Sequence, residues 1–160
     1  MGTRKGWWIY ISTQYSLAMK YFLILLISCC STALYGQEWE QDFEQAQEKA
    51  VLEEKKLLLV FSGSDWCIPC IRLEKEVWQD LAFLSYAKEQ LILYRADFPK
   101  RKKNQLTAVL KAKHQNLAAQ YNPKGYFPWV VVFDANKMVK GTFVYTKAPV
   151  SHYIEQIKSF

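Results

Sequence analysis

Runs of consecutive apolar residues predict the strands of this protein. Such runs lie at residues 57–61 and 130–133, and residues 91–96, apolar apart from Arg95, form a similar segment. The first of them is apolar at every position, which is typical of a central strand buried on both faces. A turn at residues 134–137 then leads into a further β-type segment at 138–145. The two segments on either side of this turn are expected to form a β-hairpin.

Segments with apolar residues at helical spacing separate these strands. Residues 39–55 are typical of an amphipathic helix, with charges between the apolar positions Trp39, Phe43, Ala46, Ala50 and Val51. Further helices are predicted at residues 71–79, 78–91, 105–121 and 149–160. The expected core positions of the last three are Leu81, Leu84, Ala87, Leu106, Val109, Leu110, Leu117, Ala118, Tyr153, Ile154 and Ile157. We expect His114, within residues 105–121, to lie at the surface.

The first 36 residues have the pattern of a secretory signal peptide rather than of a folded domain. Lys20 precedes an apolar run at 21–27, and small residues follow, which is the order of a signal peptide. The run is shorter than the roughly 20 apolar residues of a membrane-spanning helix. We therefore expect residues 37–160 to form an exported, periplasmic domain. Because such signals normally begin with a Met-Lys pair, Met19 is a candidate for the true initiator.

A second interpretation of the same segment makes the mature protein lipid-anchored. Residues 26–29 resemble a bacterial lipobox, in which Cys29 would be lipidated after cleavage. In the soluble interpretation Cys29 and Cys30 leave with the signal peptide, and the mature domain keeps Cys67 and Cys70. An exported domain with one closely spaced cysteine pair has no framework of structural disulfides.

Removal of the signal peptide also changes the charge of the protein. The whole chain has 21 basic and 15 acidic residues, formally +6. Three of the basic residues and none of the acidic ones lie in residues 1–36, which leaves 18 against 15, or +3. A domain this mildly basic is unlike a nucleic-acid-binding protein. The sharpest cluster is Lys100, Arg101, Lys102 and Lys103, which is either a solvated loop or a docking patch for an acidic partner.

The stretch FSGSDWCIPC, at residues 61–70, contains the candidate chemistry. An apolar run precedes it and a charged, helix-forming run follows, so we expect a strand, a tight turn and a helix. If Cys67 and Cys70 share the first helical turn, their Cα atoms are about 5–6 Å apart, a distance that a disulfide spans. The helix start favours a thiolate at Cys67. Pro69 is tolerated because first-turn N–H groups lack intrahelical partners.

The spacing of the two cysteines favours redox chemistry over a structural role. Closing a loop of about four residues stabilises a fold by only about 2 kcal/mol, against about 3 kcal/mol for 15 residues. Lowering a cysteine pKa from about 8.5 to about 7 raises the thiolate fraction at neutral pH from a few per cent to about half. The pair is therefore better suited to making and breaking a disulfide than to holding the fold.

The motif WCIPC at residues 66–70, directly after an apolar strand, resembles the active site of the thioredoxin-like superfamily. The run FSGSDWCIPC followed by RLEKEVW is similar to the secreted bacterial branch, and the resemblance extends from about residue 38 to the C-terminus. It implies an α/β, thioredoxin-like fold with three α/β/α layers around a central mixed β-sheet. The order strand, helix, strand, helix, hairpin, helix is the order of that fold. The sequence YFPW at 126–129 matches the second signature of the superfamily, which implies a cis Phe127–Pro128 bond facing the cysteines.

By this resemblance the protein is a thiol–disulfide oxidoreductase of the cell envelope that reduces or isomerises protein disulfides. Cys67, expected to be the less buried cysteine, attacks the substrate disulfide, and Cys70 then resolves the mixed disulfide. The implied substrate-binding residues are Trp66, Ile68, Pro69, Phe127 and Pro128. The resemblance implies no metal and no other cofactor.

Two positions depart from the thioredoxin pattern. Cytosolic thioredoxins carry a buried Asp six residues before the first cysteine, which assists proton transfer, and here that position is Phe61. Asp65 is expected to be exposed in the turn, so water or a different acid must carry the proton, or the resolving step is slower. Phe127 is larger than the usual small or β-branched residue before the cis-proline, which is expected to narrow the substrate range.

The dipeptide between the cysteines predicts the direction of electron transfer. Ile68 and Pro69 are apolar, whereas the strong oxidants of the superfamily stabilise their thiolate with extra donors there, often a His. We therefore expect a reductant or an isomerase. A reductant that works in an oxidising compartment would need a membrane-embedded electron donor. We also expect the protein to be a monomer.

Two other functions stay open at this point. A non-catalytic thioredoxin-like module would bind a partner and leave the CxxC pair idle. A metal-binding protein would use Cys67, Cys70, His114 and His152. However, histidines 44 and 82 residues past Cys70 fit no compact metal-site spacing.

Overall fold

A computed structural model describes residues 38–160 of the protein. The predicted signal peptide, the candidate initiator Met19 and the candidate lipid anchor Cys29 lie outside these residues. Within them, five α-helices accompany a four-stranded sheet. The helices are α1 (Phe43–Leu52), α2 (Ile68–Leu73), α3 (Leu81–Gln90), α4 (Ala108–Tyr121) and α5 (Val150–Ser159). The strands are β1 (Lys56–Ser62), β2 (Leu91–Asp97), β3 (Trp129–Phe133) and β4 (Val139–Phe143). A π-helical segment (Glu74–Trp78) continues α2, and a short 3₁₀ helix (Lys102–Asn104) follows β2.

The sheet is mixed, with strand order β2-β1-β3-β4. Strands β1 and β2 are parallel, and β3 runs antiparallel to both β1 and β4. In this register Ser62 pairs with Asp97, and Phe61 pairs with Trp129. The ends of β1 and β2 therefore meet the start of β3 at one edge of the sheet, and this edge holds the candidate site.

The two faces of the sheet are covered by different helices, because side chains alternate along each strand. Leu58 and Val60 face a cluster built from α2, the π-helical segment, α3 and α5, with Trp78 and Phe83 at its centre. Leu57, Leu59 and Phe61 face a second cluster built from α1 and α4. The result is the three-layer α/β/α arrangement around a mixed sheet, as predicted.

The first helix is shorter than its apolar pattern predicts. It begins at Phe43 because Asp42 caps it, accepting a hydrogen bond from the Gln45 N–H at 3.2 Å. Glu40, two residues before Asp42, instead donates its N–H to the carbonyl of Leu93 in β2. Trp39 therefore lies outside the helix, so the prediction that the helix begins at residue 39 is wrong.

Three apolar residues that were expected in the core face solvent. Leu81, Val109 and Val51 are all exposed, because each lies on the outer side of its helix. In α3 the buried positions are Phe83 and Ala87. Strands β1, β2 and β3, the hairpin and the C-terminal helix agree with prediction within two residues.

The fourth helix also differs from its predicted extent and core. It starts at Ala108, because the Thr107 hydroxyl accepts a hydrogen bond from the Leu110 N–H, so Leu106 precedes it. Its buried residues are Leu117 and, against prediction, His114. This helix is the longest in residues 38–160 at 14 residues, and none of the helices there meets the length and apolarity required to span a bilayer.

Candidate active site

The turn from β1 into α2 places both cysteines at the start of the helix. Cys67 is the N-cap residue, and its Sγ accepts a hydrogen bond from the Cys70 N–H at 3.2 Å. The Cys67 N–H donates to the Gly63 carbonyl at 2.9 Å. The two cysteines form a disulfide with a Cα–Cα distance of 5.2 Å, which confirms the predicted geometry. Pro69 lies in the first turn, where its missing N–H removes no helical hydrogen bond.

The two cysteines are equally buried, each being 4% exposed. The expectation that Cys67 is the less buried of the two is therefore wrong. The reason is the tight turn, in which the bond to Gly63 holds Cys67 against the body of the domain. Exposure does not distinguish the two sulfurs, but the Cys70 N–H is directed at the sulfur of Cys67.

Trp66 packs against Gly63, in the turn that precedes the cysteines. Its Nε1–H donates to the Phe98 carbonyl at 2.7 Å, and the residue is 37% exposed. A Cβ atom built on Gly63 would lie only 2.4 Å from the indole. Gly63 is thus required for the position of Trp66, and sequence reasoning missed this role because nothing local to Gly63 indicates it.

The loop before β3 meets the active-site turn through an aromatic cluster. The Phe127–Pro128 peptide bond is cis, the state that the resemblance implied, and Pro128 is buried. The Phe127 ring contacts the Trp66 ring edge-to-face, with centroids 5.5 Å apart, and also the Phe98 ring at 5.4 Å. The structure thus brings together Trp66 and Phe127, which the resemblance implied as substrate-binding residues, and adds Phe98, which the sequence did not indicate.

Ile68 and Pro69 face a different part of the surface. Ile68 is 65% exposed, and both residues line a groove of about 290 Å³ together with Arg72, Tyr145, Thr146 and Lys147. Of the five predicted substrate-binding residues, Trp66, Ile68 and Pro69 are therefore exposed, Phe127 is half-buried, and Pro128 is buried.

Two carboxylates tie the active-site turn to the segment that follows β2. Asp97 accepts hydrogen bonds from the Ser64 N–H at 2.9 Å and the Ser64 hydroxyl at 2.5 Å. Asp65 accepts from the backbone N–H groups of Lys100 and Arg101 and from the Asn104 side chain, each at 2.9 Å. The bond from Lys100, followed by those from Arg101 and Asn104, lowers the pKa of Asp65. Asp65 thus lies in the turn, and its carboxylate accepts three hydrogen bonds instead of facing only solvent.

His114 is buried next to the C-terminal end of β2 and hydrogen-bonds to it. It is 3% exposed, with Nδ1 at 2.9 Å from the Asp97 carbonyl and Nε2 at 3.1 Å from the Tyr94 hydroxyl. Because a carbonyl can only accept, Nδ1 carries the proton and the Tyr94 hydroxyl donates to Nε2. Burial raises the pKa of Tyr94 to about 12 and lowers the pKa of His114, so both groups are neutral at pH 7. The predicted surface position of His114 is wrong because the histidine has two buried polar partners.

Phe61, at the position of the thioredoxin Asp, is fully buried and belongs to the apolar cluster beneath α1 and α4. In the described part of the chain no carboxylate hydrogen-bonds to either cysteine sulfur. Glu74, one helical turn after Cys70, is paired with Arg95, whose guanidinium lies 4.1 Å from the centroid of the Trp39 ring.

The four residues of the metal-binding alternative do not come together. The cysteines bond to each other, His114 bonds to Tyr94, and His152 packs against Tyr153. Across residues 38–160, His, Cys, Asp and Glu side chains form no group of three or more that could hold a metal ion.

Comparison with known proteins agrees with this geometry. Residues 38–135 match the family described as Thioredoxin-like. The chain is 28% identical over 152 residues to the disulfide bond reductase DsbH of Chlamydia pneumoniae, covering 86% of this chain and 89% of that protein. A solved structure of DsbH oxidoreductase superposes with a TM-score of 0.70 at 29% identity, over 78% of this chain and 83% of that one. A thioredoxin from Thermus thermophilus shares the fold, with a TM-score of 0.60 at 12% identity over 78% and 87% of the two chains.

Proposed function

This chain belongs to the thioredoxin-like family, and we propose that it is a thiol–disulfide oxidoreductase of the cell envelope that reduces or isomerises protein disulfides. The observation that carries the proposal is the Cys67–Cys70 disulfide at the start of α2, with the Cys70 N–H directed at the Cys67 sulfur. Similarity to a disulfide bond reductase over most of both chains supports the same activity.

In the proposed reaction Cys67 is the nucleophile and Cys70 the resolving residue. In the reduced protein the Cys67 thiolate attacks one sulfur of the substrate disulfide, and the other sulfur leaves as a thiolate that takes up a proton. The Cys70 thiolate then attacks the Cys67 sulfur and releases the second substrate thiol. Two electrons and two protons pass to the substrate, and the Cys67–Cys70 disulfide remains. The Cys70 N–H bond favours the thiolate at Cys67, because hydrogen bonds to a charged form stabilise it.

The substrate is expected to bind across the edge of the sheet. Trp66 and Phe127 together present an apolar surface beside Cys67. The backbone of Phe127, in the cis-proline loop, would pair with an extended substrate segment as an added strand. Exposed Ile68 extends the apolar contact on the other side of the cysteines. The bulk of Phe127 restricts the substrates to those that can pass its ring.

The proposed cellular setting rests on the N-terminal sequence. The Lys20-led apolar run supports export of residues 37–160, with a lipid anchor at Cys29 as the alternative. The apolar dipeptide Ile68-Pro69 supports a reducing role, and a reductant in an oxidising compartment must itself be re-reduced. The proposed partners are therefore protein disulfides on one side and a membrane-embedded electron donor on the other, with the protein acting as a monomer.

Equilibration of the purified protein against glutathione tests the direction of electron flow. We expect a reduction potential near that of thioredoxin, about −270 mV, rather than the strongly oxidising value of about −120 mV. A value more positive than about −150 mV would make the protein an oxidant.

A second assay distinguishes an enzyme from a non-catalytic binding module. Reduction of a disulfide-bonded test protein is measured with dithiothreitol as the electron source. We expect turnover by the native protein and none by the Cys67→Ser variant. Turnover no faster than dithiothreitol alone would favour the binding module.

A further inference from the structure

The cation run singled out in the sequence lies in an exposed loop close to the catalytic cysteines. Lys100, Arg101, Lys102 and Lys103, here called the basic loop, all face solvent directly after β2. Among the ion pairs formed within residues 38–160, none involves any of these four side chains. Asp65 lies close enough to Arg101 for an electrostatic attraction, but one carboxylate does not balance four neighbouring cations, and an acidic partner would relieve their mutual repulsion.

The basic loop is fastened to the active-site turn rather than merely near it. Asp65, two residues before Cys67, accepts the backbone N–H groups of Lys100 and Arg101. The Lys100 ammonium lies 3.9 Å from the centroid of the Trp66 ring. The Trp66 Nε1–H binds the carbonyl of Phe98, at the start of the same segment. A chain seated on the basic loop would therefore pass directly beside Trp66 and Cys67.

The charge around the cysteines is positive on balance. The nearby carboxylates of Asp65 and Asp97 are both occupied by hydrogen bonds. Even when both are counted in full, the basic loop leaves a local excess of two positive charges. In the groove lined by Ile68, Arg72 and Lys147 contribute two further cations. Glu76, whose carboxylate accepts a hydrogen bond from the Tyr145 hydroxyl of that groove, contributes one anion, so the groove is also positive on balance.

We infer that the basic loop is a docking surface for acidic segments next to the disulfide of a substrate protein. The inference rests on the proposed function and adds to it a substrate class, namely disulfides flanked by Asp or Glu. A protein segment fits this position better than a membrane does, because a bilayer lying on the basic loop would also cover Trp66 and block the approach to Cys67. The loop raises the rate of encounter with such substrates by electrostatic attraction, which salt screens.

The test uses three disulfide peptides that differ only in the residues flanking their cysteines, which are Glu, Ser or Lys. The rate constant for their reduction by the reduced full-length protein is measured at about 10 mM and about 1 M ionic strength, where the Debye length is about 30 Å and about 3 Å. At low salt we expect the Glu peptide to react about 3- to 10-fold faster than the Ser peptide, and the Lys peptide to react more slowly. At high salt the three rates should converge.

A charge-reversed variant and a matched control assign the preference to the basic loop. Lys102→Glu/Lys103→Glu changes two of the three cations of the basic loop that do not touch Trp66, and it should remove or invert the preference for the Glu peptide. Lys137→Glu/Lys140→Glu makes the same change in net charge near the β3–β4 turn, at the opposite edge of the sheet, and should keep the preference. All three proteins should reduce the small, uncharged 2-hydroxyethyl disulfide at the same rate.

Three outcomes would overturn the inference. Equal rates of the native protein with the three peptides at low salt would refute docking while leaving the proposed function intact. An unchanged preference in Lys102→Glu/Lys103→Glu, with loss of its binding to vesicles that contain anionic lipid, would assign the basic loop to a membrane surface instead. No reduction of any peptide or of 2-hydroxyethyl disulfide would refute the proposed function, and the inference with it.

Discussion

Replacing Gly63 by Ala should displace Trp66 without changing either cysteine. The added Cβ would lie 2.4, 2.6 and 2.7 Å from three atoms of the indole, whereas ordinary contacts begin at 3.4 Å. The ring must therefore move by about 1 Å, because the backbone of the turn is held by the Gly63–Cys67 hydrogen bond. That movement breaks the 2.7 Å bond from Nε1 to the Phe98 carbonyl and disturbs the edge contact with Phe127.

The size of the effect follows from the contacts that are lost. The hydrogen bond contributes about 0.5–1.5 kcal/mol, and the aromatic pair about 0.5–1.5 kcal/mol. Trp66 is already 37% exposed, so water replaces part of the lost contact. Ala also restricts the unfolded chain, which offsets about 0.4–1 kcal/mol. We expect the free energy of unfolding to fall by about 1 kcal/mol, and kcat/KM for a protein disulfide to fall about 3- to 10-fold.

The assay compares a disulfide-bonded test protein with a small disulfide, and urea unfolding gives the stability of each variant. Gly125→Ala is the matched control, because a Cβ there meets nothing within 4 Å. Its φ of 65° makes the change cost about 1–2 kcal/mol through the backbone alone. Gly63→Ala should slow reduction of the protein disulfide only. Equal loss of activity in Gly125→Ala would show that stability, and not the position of Trp66, sets the rate.

Three further predictions follow from the described residues and from the N-terminal sequence. Alkylation across pH should find the low-pKa, fast-reacting thiol in Cys70→Ser and not in Cys67→Ser, and the reverse result would exchange the two roles. Because burial lowers the pKa of His114, the unfolded chain gains a proton near pH 6.5 that the folded protein does not bind. The free energy of unfolding should therefore decrease as the pH is lowered below about 6.5, and this group contributes at most about 1.4 kcal/mol per pH unit. His114→Gln should lose that part of the slope in urea unfolding between pH 5 and 8, and identical slopes would contradict the argument. The intact mass of the exported protein should correspond to a chain starting near Gln37, whereas a lipidated start at Cys29 would favour the anchor.

The local spacing of residue types along the chain was sufficient to predict most of the strands and helices and the geometry of the cysteine pair. Apolar runs predict β1, β2 and β3 because a strand buried on both faces needs apolar residues at consecutive positions. The Cα–Cα distance of 5.2 Å between Cys67 and Cys70 follows from helix geometry over three residues, so it needs no tertiary information. The start of α1 was predicted too early, because Trp39 and Glu40 are held beside β2 by the bond from the Glu40 N–H to the Leu93 carbonyl, a residue far away in sequence. The cap at Asp42 that sets the observed start is local.

The surroundings of the cysteines depend on contacts between residues 17 or more positions apart in the sequence. Asp65 binds the loop after β2, and Lys100 lies over Trp66, only because β1 and β2 are parallel and end at the same edge of the sheet. His114 is buried because α4 packs across Tyr94 and Asp97 and offers both ring nitrogens a partner. The sequence of four consecutive cations does not by itself indicate where in the fold the run lies. The parallel pairing of β1 with β2 places this run beside the proposed nucleophile. The residues of either strand alone do not indicate which strand it pairs with or in what register.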